Sequence, residues 1–189
     1  GALTGHLSDS SQALRFDIDV DGRLSGPDRS IVLDGRLDTC NFYGLNLMSE
    51  PFAAAADFRV SAASDSSGVQ TAHVALDRIE LWTDGQKIDI LPTEASVSTG
   101  KDGSAAAVHS GDLDLRFTAS GPIDSVSGAF GRLSGQAAEW MEKGAFDMDS
   151  VASVLPVFRL AGTAGAHNLL NGFLSTKGVQ FDSLALDVE

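Results

Sequence analysis

Apolar and polar residues alternate one by one along several stretches of this chain. In residues 113–119, with the sequence LDLRFTA, every second side chain is apolar, and residues 14–20 and 184–188 repeat the pattern. Successive side chains of an extended strand point to opposite faces. Each stretch therefore predicts a strand with one apolar face and one charged, mostly acidic face. A chain with several such strands is predicted to be mainly β and built on an antiparallel sheet.

The apolar residues of these strands, together with those of residues 69–82, form a predicted apolar face. A sheet with one apolar face must cover that face with a helix, a second sheet, a partner or a ligand. We therefore expect these residues to form an ordinary core or to face the partner or ligand that covers the sheet. They are Phe16, Ile18, Val74, Leu76, Leu113, Leu115, Phe117, Leu184 and Leu186.

Phase shifts and turn residues divide the rest of the chain. The alternation over residues 69–82 slips at Asp77-Arg78, which predicts a β-bulge. Asp84-Gly85 predicts a tight turn into a strand over residues 87–91. Residues 108–119, 124–133, 157–162 and 172–188 are interpreted as further strands. The alanine run at residues 53–56 is compatible with a helix or a strand, because propensity is only a weak guide.

One region has helical character. Residues 134–155 carry apolar residues at helical spacing, Gly144 divides them, and Pro156 ends them. We predict an antiparallel curved sheet or a β-sandwich, with this short helical insertion packing on the sheet. No linker separates two units, so residues 1–189 are interpreted as one domain. We also expect this domain to be a fragment of a longer chain.

Charge and composition narrow the classes of partner. The net charge is −13, which repels the phosphates of nucleic acid and of anionic membranes. No stretch reaches the roughly 20 apolar residues of a membrane-spanning helix. The single cysteine, Cys40, cannot form an internal disulfide and is interpreted as a small buried hydrophobe.

The sharpest local motif is acidic. Asp17, Asp19 and Asp21, followed by Gly22, match the first half of an EF-hand calcium loop. The residues before Asp17 alternate as a strand, where an EF-hand has a helix, so the same carboxylates also fit the charged face of a sheet. The four histidines show no metal-ligand spacing, and no catalytic motif is present, so we expect no enzyme.

Three segments carry a family resemblance: LDGRL at residues 33–37, VALDRIEL at 74–81 and FDSLALDV at 181–188. They resemble the AsmA-like proteins of Gram-negative envelopes. The resemblance implies a long curved antiparallel sheet whose concave apolar face shields acyl chains, in a family linked to phospholipid movement between membranes. It also implies a periplasmic or cell-envelope location, with lipid acyl chains or another envelope protein as partner.

Three functional hypotheses follow. The first is an envelope domain that binds lipid, or helps to transport it, on its apolar face. The second is a structural or protein-interaction β-sandwich module of a larger surface or secretion protein. The third is a calcium-binding or hydrolytic β-domain that uses the acidic motif.

Overall fold

The computed structural model describes residues 1–83, 86–128, 156–175 and 178–189. These residues form an antiparallel sheet of eleven strands with two short helices. Helix α1 comprises residues 123–128 and helix α2 comprises Leu169–Ser175. The strands are β1 (Ala2–Ser10), β2 (Leu14–Arg23), β3 (Arg29–Asn41), β4 (Phe52–Ser64), β5 (Gln70–Thr83), β6 (Gln86–Ile90), β7 (Thr93–Thr99), β8 (Gly103–Ser110), β9 (Leu113–Ser120), β10 (Phe158–Ala164) and β11 (Leu184–Val188).

The sheet is a meander in which nearly every strand pairs with the next one along the chain. The exception is the long strand β5: its first half, Gln70–Leu76, pairs with β7, and its second half, Ile79–Thr83, pairs with β6. Strands β1 and β11 stand at the two ends of this order, and among the described strands β6 pairs only with β5. The predicted mainly β, antiparallel fold is confirmed, and the described strands lie in one sheet, so the curved-sheet alternative holds and the sandwich does not.

The predicted bulge in β5 is confirmed. Asp57 of β4 pairs with Arg78, whereas the next residue, Phe58, pairs with Leu76. Asp77 is therefore the extra residue, and its insertion returns the apolar side chains of β5 to one face. The alanine run at residues 53–56 lies in β4, because hydrogen bonding to β3 and β5 on both sides outweighs the helical preference of alanine.

Several predicted boundaries were wrong. Residues 108–119 are not one strand, because Gly111 adopts a φ of 58° and reverses the chain between β8 and β9. Residues 124–128 are helical, with Pro122 accepting the amide hydrogen bond of Val126 at the helix start. Residues 169–175 are the helix α2, and β1 was missed because its residues are small and polar.

Two further predictions cannot be compared with the structure. The helical insertion at residues 134–155 and the turn at Asp84-Gly85 lie outside the described residues.

Among the described residues, buried apolar side chains cluster where β5 pairs with β6. Ile79, Leu81 and Ile90 are buried there and form a hydrophobic cluster. Leu169 of α2 packs against this cluster from above the sheet. The described core is therefore concentrated at one end of the sheet, where α2 covers the apolar side chains.

Candidate apolar binding face

The strand register shows how the apolar side chains are arranged. Paired residues of an antiparallel sheet point to the same face, so a run of paired residues across the strands forms a row. Three rows made almost wholly of apolar and small residues cross the sheet side by side. They are Val20–Leu33–Val60–Val74–Ala95–Val108–Leu115–Gly162–Leu186, Ile31–Ala62–Ala72–Val97–Ala106–Phe117–Leu160–Val188 and Ile18–Gly35–Phe58–Leu76–Thr93–Ser110–Leu113.

All of the residues predicted to face a lipid or a core lie on this one face, which we call the apolar face. Seven of them stand in the three rows above. Phe16 belongs to the adjacent row, where it pairs with Leu37, and Leu184 pairs with Ala164. The structure brings them onto one surface, and their contact with lipid stays a prediction.

The apolar face is concave. A cavity of about 470 Å³ is lined from six strands, with Ile31 of β3 on one side and Phe117 of β9 on the other. A second cavity of about 460 Å³ shares Ile31, Ala72 and Val97 with the first. A flat sheet offers no walls to a cavity, so residues of strands this far apart line one cavity because the sheet curves.

A helix stands at each end of the apolar face. At one end, which we call the α2 end, Leu169 covers the cluster of Ile79 and Leu81. At the other, the α1 end, Ile123 lines the second cavity and its backbone N–H donates to Thr99 Oγ1 at 2.8 Å. The cavities lie between the middle of the sheet and the α1 end.

A polar row crosses the apolar face at the α1 end. Arg29, Ser64, Gln70, Thr99 and Ser104 follow one another in register from β3 to β8. The first four of them line the second cavity. The hydroxyl groups of Thr99 and Ser104 lie 2.8 Å apart and hydrogen bond to each other. The apolar face therefore changes from apolar to polar along the strands, from the α2 end to the α1 end.

Hydrogen bonds hold α2 on the sheet. Asn168, at the start of the helix, accepts from the N–H of Asn171 and donates to Asp112 Oδ1 at 2.7 Å. The buried hydroxyl of Ser110 accepts from the N–H of Leu169 at 3.1 Å. The hydrogen bonds that Asp112 accepts, chiefly the one from Asn168, hold the pKa of Asp112 below its usual value. The α2 end is thus closed by polar contacts as well as by packing.

The opposite face of the sheet carries the charges. Arg78 binds both carboxylate oxygens of Asp57, at 3.1 and 3.2 Å, and also lies 3.6 Å from Glu80. The hydrogen bonds from Arg78 lower the pKa of Asp57. Lys87 reaches Glu80 at 3.3 Å. These ion pairs join β4, β5 and β6 across the bulge.

The acidic motif lies on this charged face. Asp17, Asp19 and Asp21 are exposed at alternate positions of β2, in a strand and not in a loop between helices. The structure adds His6 of β1, whose Nδ1 lies 3.0 Å from Asp19 Oδ1 and whose Nε2 lies 3.7 Å from Asp17 Oδ2. The spacing of His6, Asp17 and Asp19 along the sequence could not reveal these contacts, since the contacts depend on the register between β1 and β2. Calcium binding by the motif stays a prediction.

Cys40 is buried on the apolar side of β3, between Leu14 and Ala54 in register. Burial raises the pKa of its thiol. The interpretation of Cys40 as a small buried hydrophobe is therefore confirmed.

Sequence reasoning missed the polar row and α2. Arg29 precedes the alternation of β3 and gives no periodic signal, so only the paired strands place it on the apolar face. Neither described helix has the length and apolar character needed to cross a membrane. No protein-family model, curated protein or solved structure matches this chain.

Proposed function

We propose that this chain is a non-enzymatic, lipid-binding domain of the bacterial envelope, and that its concave apolar face holds acyl chains. The observation that carries the proposal is the set of adjacent rows of mainly apolar and small residues, with two adjoining cavities. Each cavity volume, about 460 and 470 Å³, falls within the roughly 300–1,000 Å³ of typical small-molecule sites.

Acyl chains suit this face for a physical reason. Val97 in the middle of the sheet is 37% exposed, and Ala72 beside it is also exposed. Each methylene of a ligand that leaves water contributes about 0.8 kcal/mol. A flexible acyl chain can follow a curved surface of small side chains. It has no polar group along its length, so it needs no hydrogen bonds from these rows.

The envelope location and a part in lipid transport rest on the resemblance to AsmA-like proteins. The division of the sheet into two faces supports the second of these, because a lipid-handling domain needs an apolar surface for the acyl chain and a polar surface toward water. Ion pairs and exposed aspartates form that polar surface on the charged face of the sheet.

Two neighbouring alanines of β8 provide a matched test. Ala106 pairs with Val97 and Phe117, so its side chain points to the apolar face. Ala105 is exposed and pairs with Ser98 and Thr118; although its backbone also borders the first cavity, its side chain points to the charged face. In Ala106→Glu a carboxylate would stand in the first cavity, and we expect binding of a fluorescent fatty acid to fall by at least 10-fold, about 1.4 kcal/mol. Ala105→Glu adds the same charge and the same side chain to the opposite face, and it should bind like the wild type.

Lipid carried by the purified protein is measured alongside. We expect mass spectrometry of an organic extract to detect lipid from the wild type and the Ala105→Glu variant. Equal binding by both glutamate variants, each with an unchanged far-UV circular dichroism spectrum, would contradict the proposal. So would a wild type that neither carries lipid nor binds the fatty acid.

A protein-interaction module is the second candidate, and the two edge strands favour it. All nine residues of β1 and all five of β11 are exposed, and unpaired edges can accept a further strand. Concentration-dependent self-association without lipid, measured by light scattering, is the result that favours this alternative over the lipid-binding domain.

A further inference from the structure

The polar row at the α1 end suggests how a lipid would be oriented, an inference that rests on the proposed function. The row places Arg29, Ser64 and Gln70 beside one another at the margin of the second cavity. The nearest apolar row, which begins at Ile31, lies two residues further along the strands. An amphiphile bound on this face would meet an arginine side chain at only one end of the described surface.

Arg29 differs from the other described cations on the strands. It is the one that stands on the apolar face, and it forms no ion pair with a described carboxylate. Its guanidinium donates one long hydrogen bond, from Nε to the carbonyl oxygen of Gly26 at 3.5 Å. By contrast, the ion-paired cations all serve the charged face; they are Arg36, Arg59, Arg78, Lys87, Arg116 and Arg159.

Two carboxylates, those of Asp28 and Asp65, line one surface depression together with Arg29, and neither forms an ion pair with its guanidinium. Asp65, which follows β4, accepts from the backbone N–H groups of Ser67 and Val69 at 2.9 and 3.0 Å, and hydrogen bonds from this loop lower its pKa. Asp28, the residue before Arg29, is exposed and makes no ion pair with it. A guanidinium in this state presents its fork of N–H donors to a ligand.

We propose that the apolar face takes an amphiphile with an anionic head group, a carboxylate or a phosphate. Arg29 binds the head group at the α1 end, Ser64 and Gln70 supply further hydrogen-bond donors, and the acyl chain runs from there toward the α2 end. The reverse orientation would bring the charge against Ile79 and Leu81, which offer no donor and are already covered by Leu169. Charge complementarity therefore selects both the class of head group and its position.

Three probes with the same chain test this inference: dodecanoate, dodecyl phosphate and dodecanol. Each is titrated calorimetrically, the two anions below their micelle concentrations and the alcohol below its solubility limit. We expect both anions to bind the wild type about 10-fold more tightly than the alcohol, as a charge-assisted hydrogen bond from arginine predicts. The ratio between the two anions identifies whether a carboxylate or a phosphate fits better.

Two arginine variants separate position from net charge. Arg29→Gln should remove the preference for anions and leave dodecanol binding unchanged. Arg59→Gln removes one positive charge from the charged face of β4, where Arg59 pairs with Asp34 at 3.6 Å, and should keep the preference. Equal binding of all three probes, or equal effects of both variants, would overturn the anionic head group while leaving lipid binding in place. Failure of every probe to bind would overturn the proposed function itself.

Discussion

The side chain of Asn171 joins three parts of the backbone around the α2 end. Its Nδ2 donates to the carbonyl oxygens of Ala166 and Phe181, at 2.9 and 2.8 Å, and its Oδ1 accepts from the N–H of Phe181 at 3.2 Å. Asn171 is buried, with 7% of its surface exposed. The substitution Asn171→Ala therefore removes the partner of three backbone groups at once.

The expected loss follows from how well water can replace Asn171. A buried polar group left without a partner costs about 1–3 kcal/mol. Ala166 is exposed, so water can reach its carbonyl oxygen, whereas both polar groups of Phe181 are half-buried. We therefore expect Asn171→Ala to lower the free energy of unfolding by about 2–4 kcal/mol, mostly through Phe181.

Urea unfolding followed by circular dichroism measures the global effect, and native-state hydrogen exchange of the Phe181 amide measures the local one. The control is Asn41→Ala, which removes one exposed hydrogen bond, from the N–H of Gly44 at 2.9 Å, and should cost about 1 kcal/mol or less. A loss below about 0.5 kcal/mol in Asn171→Ala, with unchanged protection of the Phe181 amide, would refute the reasoning.

Two further predictions concern titratable groups. The hydrogen bond to Asp19 and the charge of Asp17 raise the pKa of His6 above 6.5. The pairing therefore stabilises the fold fully below pH 6.5 and is lost as the pH rises through the raised pKa; an NMR titration should show that pKa fall in Asp19→Asn, and an unchanged value would contradict the pairing. Burial raises the pKa of Cys40, so its thiol should react with a maleimide at pH 7 at least 10-fold more slowly in the folded chain than in urea. Equal rates would place Cys40 in contact with solvent.

The alternation of apolar and polar residues predicted a strand wherever the two faces of that strand differ sharply in polarity. Large apolar residues recur at every second position of β2, β9 and β11, mostly with charged or small residues between them, so their pattern alone indicates which residues share a face. The slip at Asp77-Arg78 predicted the bulge in β5 for the same reason. Side-chain direction in a strand has a period of two, and that period can be counted without knowing the neighbouring strands.

Local patterns were weak where the partner strand decides the conformation. The alanines of β4 and β8 favour no state by themselves, and pairing on both sides holds them in the sheet. The small polar residues of β1 become a strand because β2 offers an unpaired edge. Helix α2 depends on Ser110 and Asp112, residues more than 50 positions away, so its sequence carried little of its own signal.

The candidate site divides in the same way. The sequence by itself determined that an apolar face and a charged face exist, and it identified nine residues of the apolar one. Only the tertiary structure decided that the face is concave and that α2 closes one end of it. It also decided that His6 hydrogen bonds to Asp19, and that Arg29 lies at the other end of the face without an ion pair to a described carboxylate. Each of these depends on register and curvature, which arise when hydrogen bonds form between distant segments and cannot be read from one strand.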